Sequence, residues 1–346
     1  MGHHPTRIAV IGLGMAVLPH ARSLVELQAE GRVVVLGAWS RSAERRATFA
    51  QRFPLPVTAD LNALLAQQQP DMALVVTPPD SREELVRRLA TAGVHILMEK
   101  PVERTTDAAE RIVGLCEAAG VTLGIVLQHR FRDAAERLRQ LLALGALGQL
   151  AVVELAAPWW RPQGYYDEPG RGTLARDGGG VLITQGIHAL DLMLSLTGPA
   201  TAATAIAGTS SIHRMETEDF VAGGVTFANG ALGSLLLTTA VYPGENERLV
   251  LAGTEGTAKL LATKLEVRYV DGREEACGEP TGSGSGADPM AFPHIWHKRL
   301  LTDFCDAIRD GRSPRVSGRE ALRVHRLIDA LLLAAREGRQ VAMAVD

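Results

Sequence analysis

The sequence predicts an α/β chain of two domains, the first on a parallel sheet and the second, α+β, on a mostly antiparallel one. Up to about residue 127, short β-branched runs alternate with helical stretches, the pattern of βαβ units. Beyond that point, strands alternate apolar with small polar residues and are joined by tight-turn pairs such as Asn229-Gly230 and Asp271-Gly272. The 346 residues are also about twice an ordinary single-domain length, so 1–127 and 128–346 can each bury a core.

Composition narrows the function classes. With 46% apolar and 22% charged residues the chain is neither collagenous, disordered nor coiled-coil. Its 36 basic and 39 acidic residues nearly cancel, which leaves no overall electrostatic reason to bind nucleic acid or an anionic membrane. The longest apolar runs noted, 331–335 and 235–237, fall far short of the roughly 18 residues that span a bilayer. The N-terminus lacks the apolar core of a signal peptide. Cys116, Cys277 and Cys305 stand apart with no CxxC spacing, so neither disulfides nor a metal site is expected. The expectation is a cytoplasmic protein that binds a small polar or neutral molecule.

In the first domain, 7–11, 33–39, 72–76, 94–98 and 121–126 read as strands covered on both faces, because they are almost continuously apolar. Asp60 caps a helix over 61–67, Ser81 or Asp80 opens one over 82–91, and Gly93 and Gly120 stand where helices hand over to strands. In the second domain the strands are 150–157, 200–208, 220–227, 231–241, 248–252, 257–261 and 265–270. One helix runs from about 180 to 197, and two more, about 294–310 and 319–336, close the chain. Residues 281–286, all Thr, Gly and Ser, read as a mobile loop, and no internal repeat is found.

The first strand runs directly into Gly12-Leu13-Gly14-Met15-Ala16-Val17 and a helix. Glycines at the first two positions permit a tight turn and let backbone amides approach a pyrophosphate at the helix N-terminus. Val17 departs from the glycine or alanine usual at the third. The second strand ends in Ser40-Arg41, where an NAD-binding turn would place a carboxylate on the ribose 2′-hydroxyl. A hydroxyl followed by a guanidinium suits the 2′-phosphate instead, so NADP is the preferred cofactor, with NAD open. The alternative is a surface Ser-Arg pair, with Ser42 capping the next helix.

The fifth strand delivers Glu99-Lys100-Pro101 at its carboxyl end, where proline forces a turn and pushes Lys100 towards whatever fills the crevice. A lysine there can donate a proton or bind a substrate oxygen; the alternative is a solvated Glu-Lys pair. Gly178-Gly179-Gly180 marks a close approach or sharp bend before the helix at 180–197. On that helix Thr184, His188 and Asp191, at i, i+4 and i+7, share one face. His188 can take a hydroxyl proton while a neighbour fixes its tautomer, or it can be a structural histidine with Asp191 as cap or ion-pair partner. The loop before the glycines, with Trp159, Trp160, Arg161, Tyr165 and Tyr166, suits a polyol pocket, and Arg171 is a second anion candidate. The same aromatics can equally be a loop core.

In order along the chain, the Gly12-Leu13-Gly14 turn with His20 in its helix, Thr77-Pro78-Pro79, Glu99-Lys100-Pro101, Gln128-His129-Arg130-Phe131, Gly145-Ala146-Leu147-Gly148, the triple glycine and Gly186-Ile187-His188-Ala189-Leu190-Asp191 resemble the Gfo/Idh/MocA oxidoreductases. The resemblance covers essentially the whole chain. It implies an N-terminal Rossmann dinucleotide-binding domain and a C-terminal substrate-binding and oligomerisation domain with a large open sheet, through which homodimers or homotetramers form. It implies that Lys100 contacts both nicotinamide ribose and substrate, that its bond to Pro101 is cis, and that His188 touches the reacting hydroxyl. Gly12, Gly14, Met15, Ala16, Ser40, Arg41, Thr77, Pro78 and Glu99 are then cofactor residues, and Gln128, Tyr166, Arg171 and Thr184 substrate residues. Thr184 stands where many active members carry aspartate, and threonine cannot relay a proton as a carboxylate does.

The function expected is an NAD(P)-dependent dehydrogenase or reductase of a secondary alcohol or ketone in a sugar, sugar acid or cyclitol. The alternatives are a non-catalytic dinucleotide sensor, and a glycoside-cleaving enzyme in which tightly held NAD is reduced and reoxidised within each cycle.

Overall fold

The computed structural model describes residues 4–279 and 292–344. The chain divides into two compact units, one of Met1–Gln128 with Pro293–Ala321, the other of His129–Phe292 with Leu322–Asp346. The return of 293–321 to the first unit departs from a single cut after residue 127. The helix Ile295–Asp310 belongs there because it docks on the helix Val17–Ala29: Glu26 accepts from His294 and Lys298 at 2.7 Å, and Asp306 from Arg32 at 2.7 Å.

The first unit holds strands β1 (Thr6–Ile11), β2 (Val33–Trp39), β3 (Val57–Thr58), β4 (Met72–Val75), β5 (His95–Glu99) and β6 (Leu123–Val126). They form one parallel sheet in the order β3-β2-β1-β4-β5-β6. Helices α1 (Val17–Ala29), α2 (Ala43–Arg52), α3 (Leu61–Gln68), α4 (Arg82–Thr91) and α5 (Thr106–Ala118) are its crossovers. Ser42 and Asp60 cap α2 and α3 through their side chains. Ser81 makes no such cap: a 3₁₀ turn, Pro79–Ser81, leads into α4 instead. The strand order reverses between β1 and β4, and that is where an open α/β sheet has its ligand crevice, at the carboxyl ends.

In the second unit, β7 (Leu150–Pro158), β8 (Ala200–Gly208), β9 (Phe220–Phe227), β10 (Leu232–Thr238), β11 (Arg248–Gly253), β12 (Gly256–Leu261), β13 (Lys264–Tyr269), β14 (Glu274–Cys277) and β15 (Val341–Ala342) make one sheet in the order β14-β13-β12-β11-β7-β10-β9-β8-β15. Every ladder is antiparallel except β7–β10, where Leu232 to Thr238 run parallel to Val152 to Pro158. Its helices include α6 (Asp133–Ala143), α7 (Gln163–Tyr166), α8 (Leu174–Asp177), α9 (Ile187–Thr197) and most of the helix Gly318–Glu337. The expected single helix from 180 is broken, because Leu182–Gly186 is a π-turn ahead of α9. By length and composition, Leu174–Thr197 is apolar enough to cross a membrane, contrary to the sequence reading of apolar runs. Since 72% of its apolar window is buried inside the protein, it serves as a core segment. The loop at 281–286 lies outside the described residues.

Candidate active site

The carboxyl edge of the first sheet gathers most of the expected cofactor residues. Gly12 has φ +106° and donates its N–H to the Trp39 carbonyl at 2.9 Å. A Cβ there would stand 2.6 Å from the Val76 carbonyl, so this glycine serves the packing of β1 against the end of β4. Gly14 is different, since a Cβ on it would meet nothing within 4 Å. Exposed Met15 follows, and Ala16 opens α1 without a side-chain cap. Val17 and Leu18 donate to the Gly14 and Met15 carbonyls, but the amides of Gly14, Met15 and Ala16 have no partner among the described residues, and beside open space they are suited to a phosphate group.

At the end of β2, Ser40 is buried and its carbonyl accepts from Arg46 Nη1 at 2.5 Å. Arg41 and Arg45 are exposed and their side chains make no ion pair among the described residues. Beyond β4, Thr77 Oγ1 is buried with no hydrogen-bond partner among the described residues, and exposed Pro78 follows it. An unpartnered buried hydroxyl beside the crevice is what a polar ligand would complete. At the end of β5, Glu99 Oε1 sits 2.7 Å from His20 Nε2, and Glu99 Oε2 accepts from the Lys100 amide at 3.2 Å. The Lys100-Pro101 bond is cis and Lys100 is half-buried.

Arg82, missed by the sequence reading, ties these loops together. It is almost wholly buried and donates through Nη1 to the carbonyls of Glu99, at 2.6 Å, and Pro101. Through Nε and Nη2 it donates to the Thr77 carbonyl at 3.0 and 2.7 Å. Burial holds its guanidinium down to about 10, still charged at neutral pH. Nothing in the sequence marks it, because an arginine opening a charged helix reads as a solvated residue.

In the second unit, the triple glycine bends around Glu218, a second residue without a sequence signal. The Glu218 carboxylate accepts from the amides of Gly180 at 3.0 Å and Leu182 at 3.2 Å, and its carbonyl accepts from Val181 at 2.8 Å. A Cβ on Gly180 would lie 1.8 Å from the Glu218 carbonyl oxygen, which is the close approach the glycines predict. Burial pushes the Glu218 carboxyl above its ordinary value.

His188 lies at the start of α9, half-buried, its ring stacked on His129 at 4.9 Å and 26°. The π-turn adds a residue to the turn, so Thr184 and His188 do not occupy successive turns of one α-helix. Asp191, only 1% exposed, accepts from Arg130 Nε at 2.8 Å and Nη2 at 2.6 Å, the ion-pair alternative. Thr184 Oγ1 donates to the Gly180 carbonyl at 2.6 Å and to Gln185 Oε1. Gln185 Nε2 in turn donates to the Tyr165 hydroxyl at 3.3 Å.

Arg171 donates to that hydroxyl at 2.7 Å, lies 4.2 Å over the Tyr165 ring and pairs with Glu168 at 2.7 Å. Arg171 and Thr184 are thus joined through Tyr165 and Gln185. Tyr166 is buried, its hydroxyl 2.7 Å from Thr239 Oγ1 and pushed up to about 12 by burial. Its ring packs on His213 and Tyr165, so this tyrosine belongs to the loop core rather than to a polar pocket wall. Gln128, 4% exposed, ends the first unit with Oε1 buried and unpartnered among the described residues.

Comparison with known proteins follows this division. Residues 6–126 match the profile described as an oxidoreductase family with an NAD-binding Rossmann fold, and residues 135–259 that of the GFO/IDH/MocA C-terminal domain. A D-apiose dehydrogenase of Paraburkholderia graminis is 28% identical over 350 aligned positions, covering 97% of this chain and 89% of that one. A D-xylose 1-dehydrogenase (NADP(+)) of Haloferax volcanii is 27% identical, covering 88% of this chain and 90% of its own. Among solved structures, the WlbA dehydrogenase of Chromobacterium violaceum, in complex with NADH and UDP-GlcNAcA, superposes with a TM-score of 0.83 at 26% identity, covering 100% of this chain and 98% of that one.

Proposed function

Because the chain belongs to the Gfo/Idh/MocA oxidoreductases, we propose that it moves a hydride between a nicotinamide dinucleotide and a secondary alcohol or ketone of a sugar, sugar acid or cyclitol. The observation that carries this reading is the turn after β1: the unpaired amides of Gly14, Met15 and Ala16, an unobstructed Gly14 and the unpartnered Thr77 hydroxyl together fit a dinucleotide. The names of the D-apiose and D-xylose dehydrogenases support the sugar class.

An oxidised dinucleotide held there would supply the acceptor for a hydride from the carbinol carbon. Gly14, Met15 and Ala16 hold its diphosphate by backbone amides, Thr77, Pro78 and Glu99 line it, and exposed Arg41 reads a 2′-phosphate, which makes NADP the preferred form. Lys100 hydrogen-bonds the substrate oxygen, and Lys100 or His188 receives the hydroxyl proton. Gln128, Arg171 and Thr184 orient the substrate.

Three free cysteines fit a reducing cytoplasm. Exposed Val152, Ile206 and Leu232 on strands β7, β8 and β10 support pairing of copies through that sheet. Retention of Lys100 and His188 favours an enzyme over a sensor.

The test is a screen of aldoses, sugar acids and cyclitols with NADP+ and NAD+, following absorbance of the reduced nicotinamide. Turnover abolished by Lys100→Ala, with dinucleotide binding only weakened, is expected. Full activity of Lys100→Ala, or no binding of either dinucleotide, overturns the reading.

A further inference from the structure

His129 and Arg132 open the second unit, and their contact fixes a proton. Arg132 Nη2 lies 2.6 Å from His129 Nε2. A guanidinium has only N–H donors, so Nε2 must be the acceptor. The contact suits a neutral His129 ring that carries its proton on Nδ1. Arg132, 1% exposed, is held in turn by Glu247 Oε1 at 2.5 Å and the Ala262 carbonyl at 3.2 Å, both through Nη1. The opposite partner of His129 is the stacked ring of His188.

We propose that Arg132 is a positioning residue acting through His129: it keeps the ring beneath His188 neutral and in place, so that of the two stacked imidazoles only His188 becomes charged when it takes the substrate proton. This rests on the reading of His188 as a proton acceptor. Without the arginine, His129 is open to protonation, and a second imidazolium 4.9 Å away opposes the charge that His188 must acquire. Asp191 is paired with Arg130, and Glu247 with Arg132 through Oε1. Of the elements packed on α9, helix α6 buries Ala134, Ala135, Leu138 and Leu141, strand β7 buries Val153, Leu155 and Ala157, and the π-turn contributes uncharged Thr184.

Two measurements test this on the full chain. Nitrogen-15 NMR of histidine-labelled protein, with His129 assigned by its loss in His129→Asn, should show the Nδ1–H tautomer unchanged from about pH 5 to about pH 8. An Nε2–H tautomer, or titration within that range, overturns the proposal. Arg132→Met combined with Glu247→Gln, which leaves no orphaned carboxylate, should lower kcat about tenfold or more near neutral pH with KM little changed. That deficit should shrink as pH rises and His129 loses its proton; a deficit that ignores pH makes Arg132 merely structural and overturns the proposal. If His188→Ala keeps full turnover while His129 shows the stated tautomer, the reading of His188 is what falls.

Discussion

Arg82 Nη1 lies 2.6 Å from the carbonyl oxygen of Glu99, inside the first unit and out of reach of water. The same guanidinium holds the Thr77 carbonyl, so one side chain sets the spacing between the turns after β4 and β5. Arg82→Met leaves three buried carbonyls without a donor and should cost about 3 kcal/mol or more in urea denaturation. Dinucleotide affinity should fall with it, and Arg82→Lys should not restore either, since a single ammonium cannot fork between two loops. A folded Arg82→Met with unaltered dinucleotide Kd contradicts this role.

Gly12 and Gly14 should separate cleanly under substitution. Gly12→Ala forces a Cβ against Val76 at a left-handed φ and should cost about 2 kcal/mol or more. Gly14→Ala meets only open space, so its stability should stay within about 0.5 kcal/mol of the parent. Dinucleotide affinity should nevertheless drop about tenfold for Gly14→Ala, read by fluorescence titration. Equal affinity would show that nothing binds against that turn.

Glu218 gives a pH dependence of known sign. Its folded carboxyl is raised above the ordinary value by burial, so the native state holds this proton more tightly than the unfolded chain. The stability it contributes is complete below the ordinary carboxyl value and is lost as pH rises through the raised one, with a slope of at most about 1.4 kcal/mol per pH unit. Glu218→Gln should flatten that part of a stability–pH curve measured by denaturation; an unchanged curve refutes the assignment.

Tyr166→Phe should cost about 1 kcal/mol for the lost bond to Thr239 and leave substrate KM within about twofold. A large KM increase would return Tyr166 to the substrate pocket.

What was legible in the sequence follows from how local its cause is. Strands such as 33–39 and 220–227 stand where continuous or alternating apolar runs placed them, and Ser42 and Asp60 cap their helices, because period and capping act over a few residues. Strands β3 and β15, two residues each, carry too little pattern to be seen. The π-turn at Leu182–Gly186 escaped because helical spacing looks the same until one backbone bond slips. Arg82, Glu218 and Arg132 escaped for another reason: each is a charged residue with defining partners 17, 38 and 130 positions away, which no local pattern reveals.

The lone parallel ladder, β7 beside β10, means that the chain leaves the centre of the second sheet at Pro158, returns three lanes away at β8, and works back through β9 to lie beside β7 at Leu232. The stretch from Pro158 to the start of β8, including the aromatic loop, the triple glycine and His188, is one excursion whose two ends are both fastened in the same sheet. Such a segment can be lengthened, shortened or exchanged while the ladders that hold its ends stay in register. Changes of substrate in this architecture can therefore accumulate within 159–199 at little cost to the sheet.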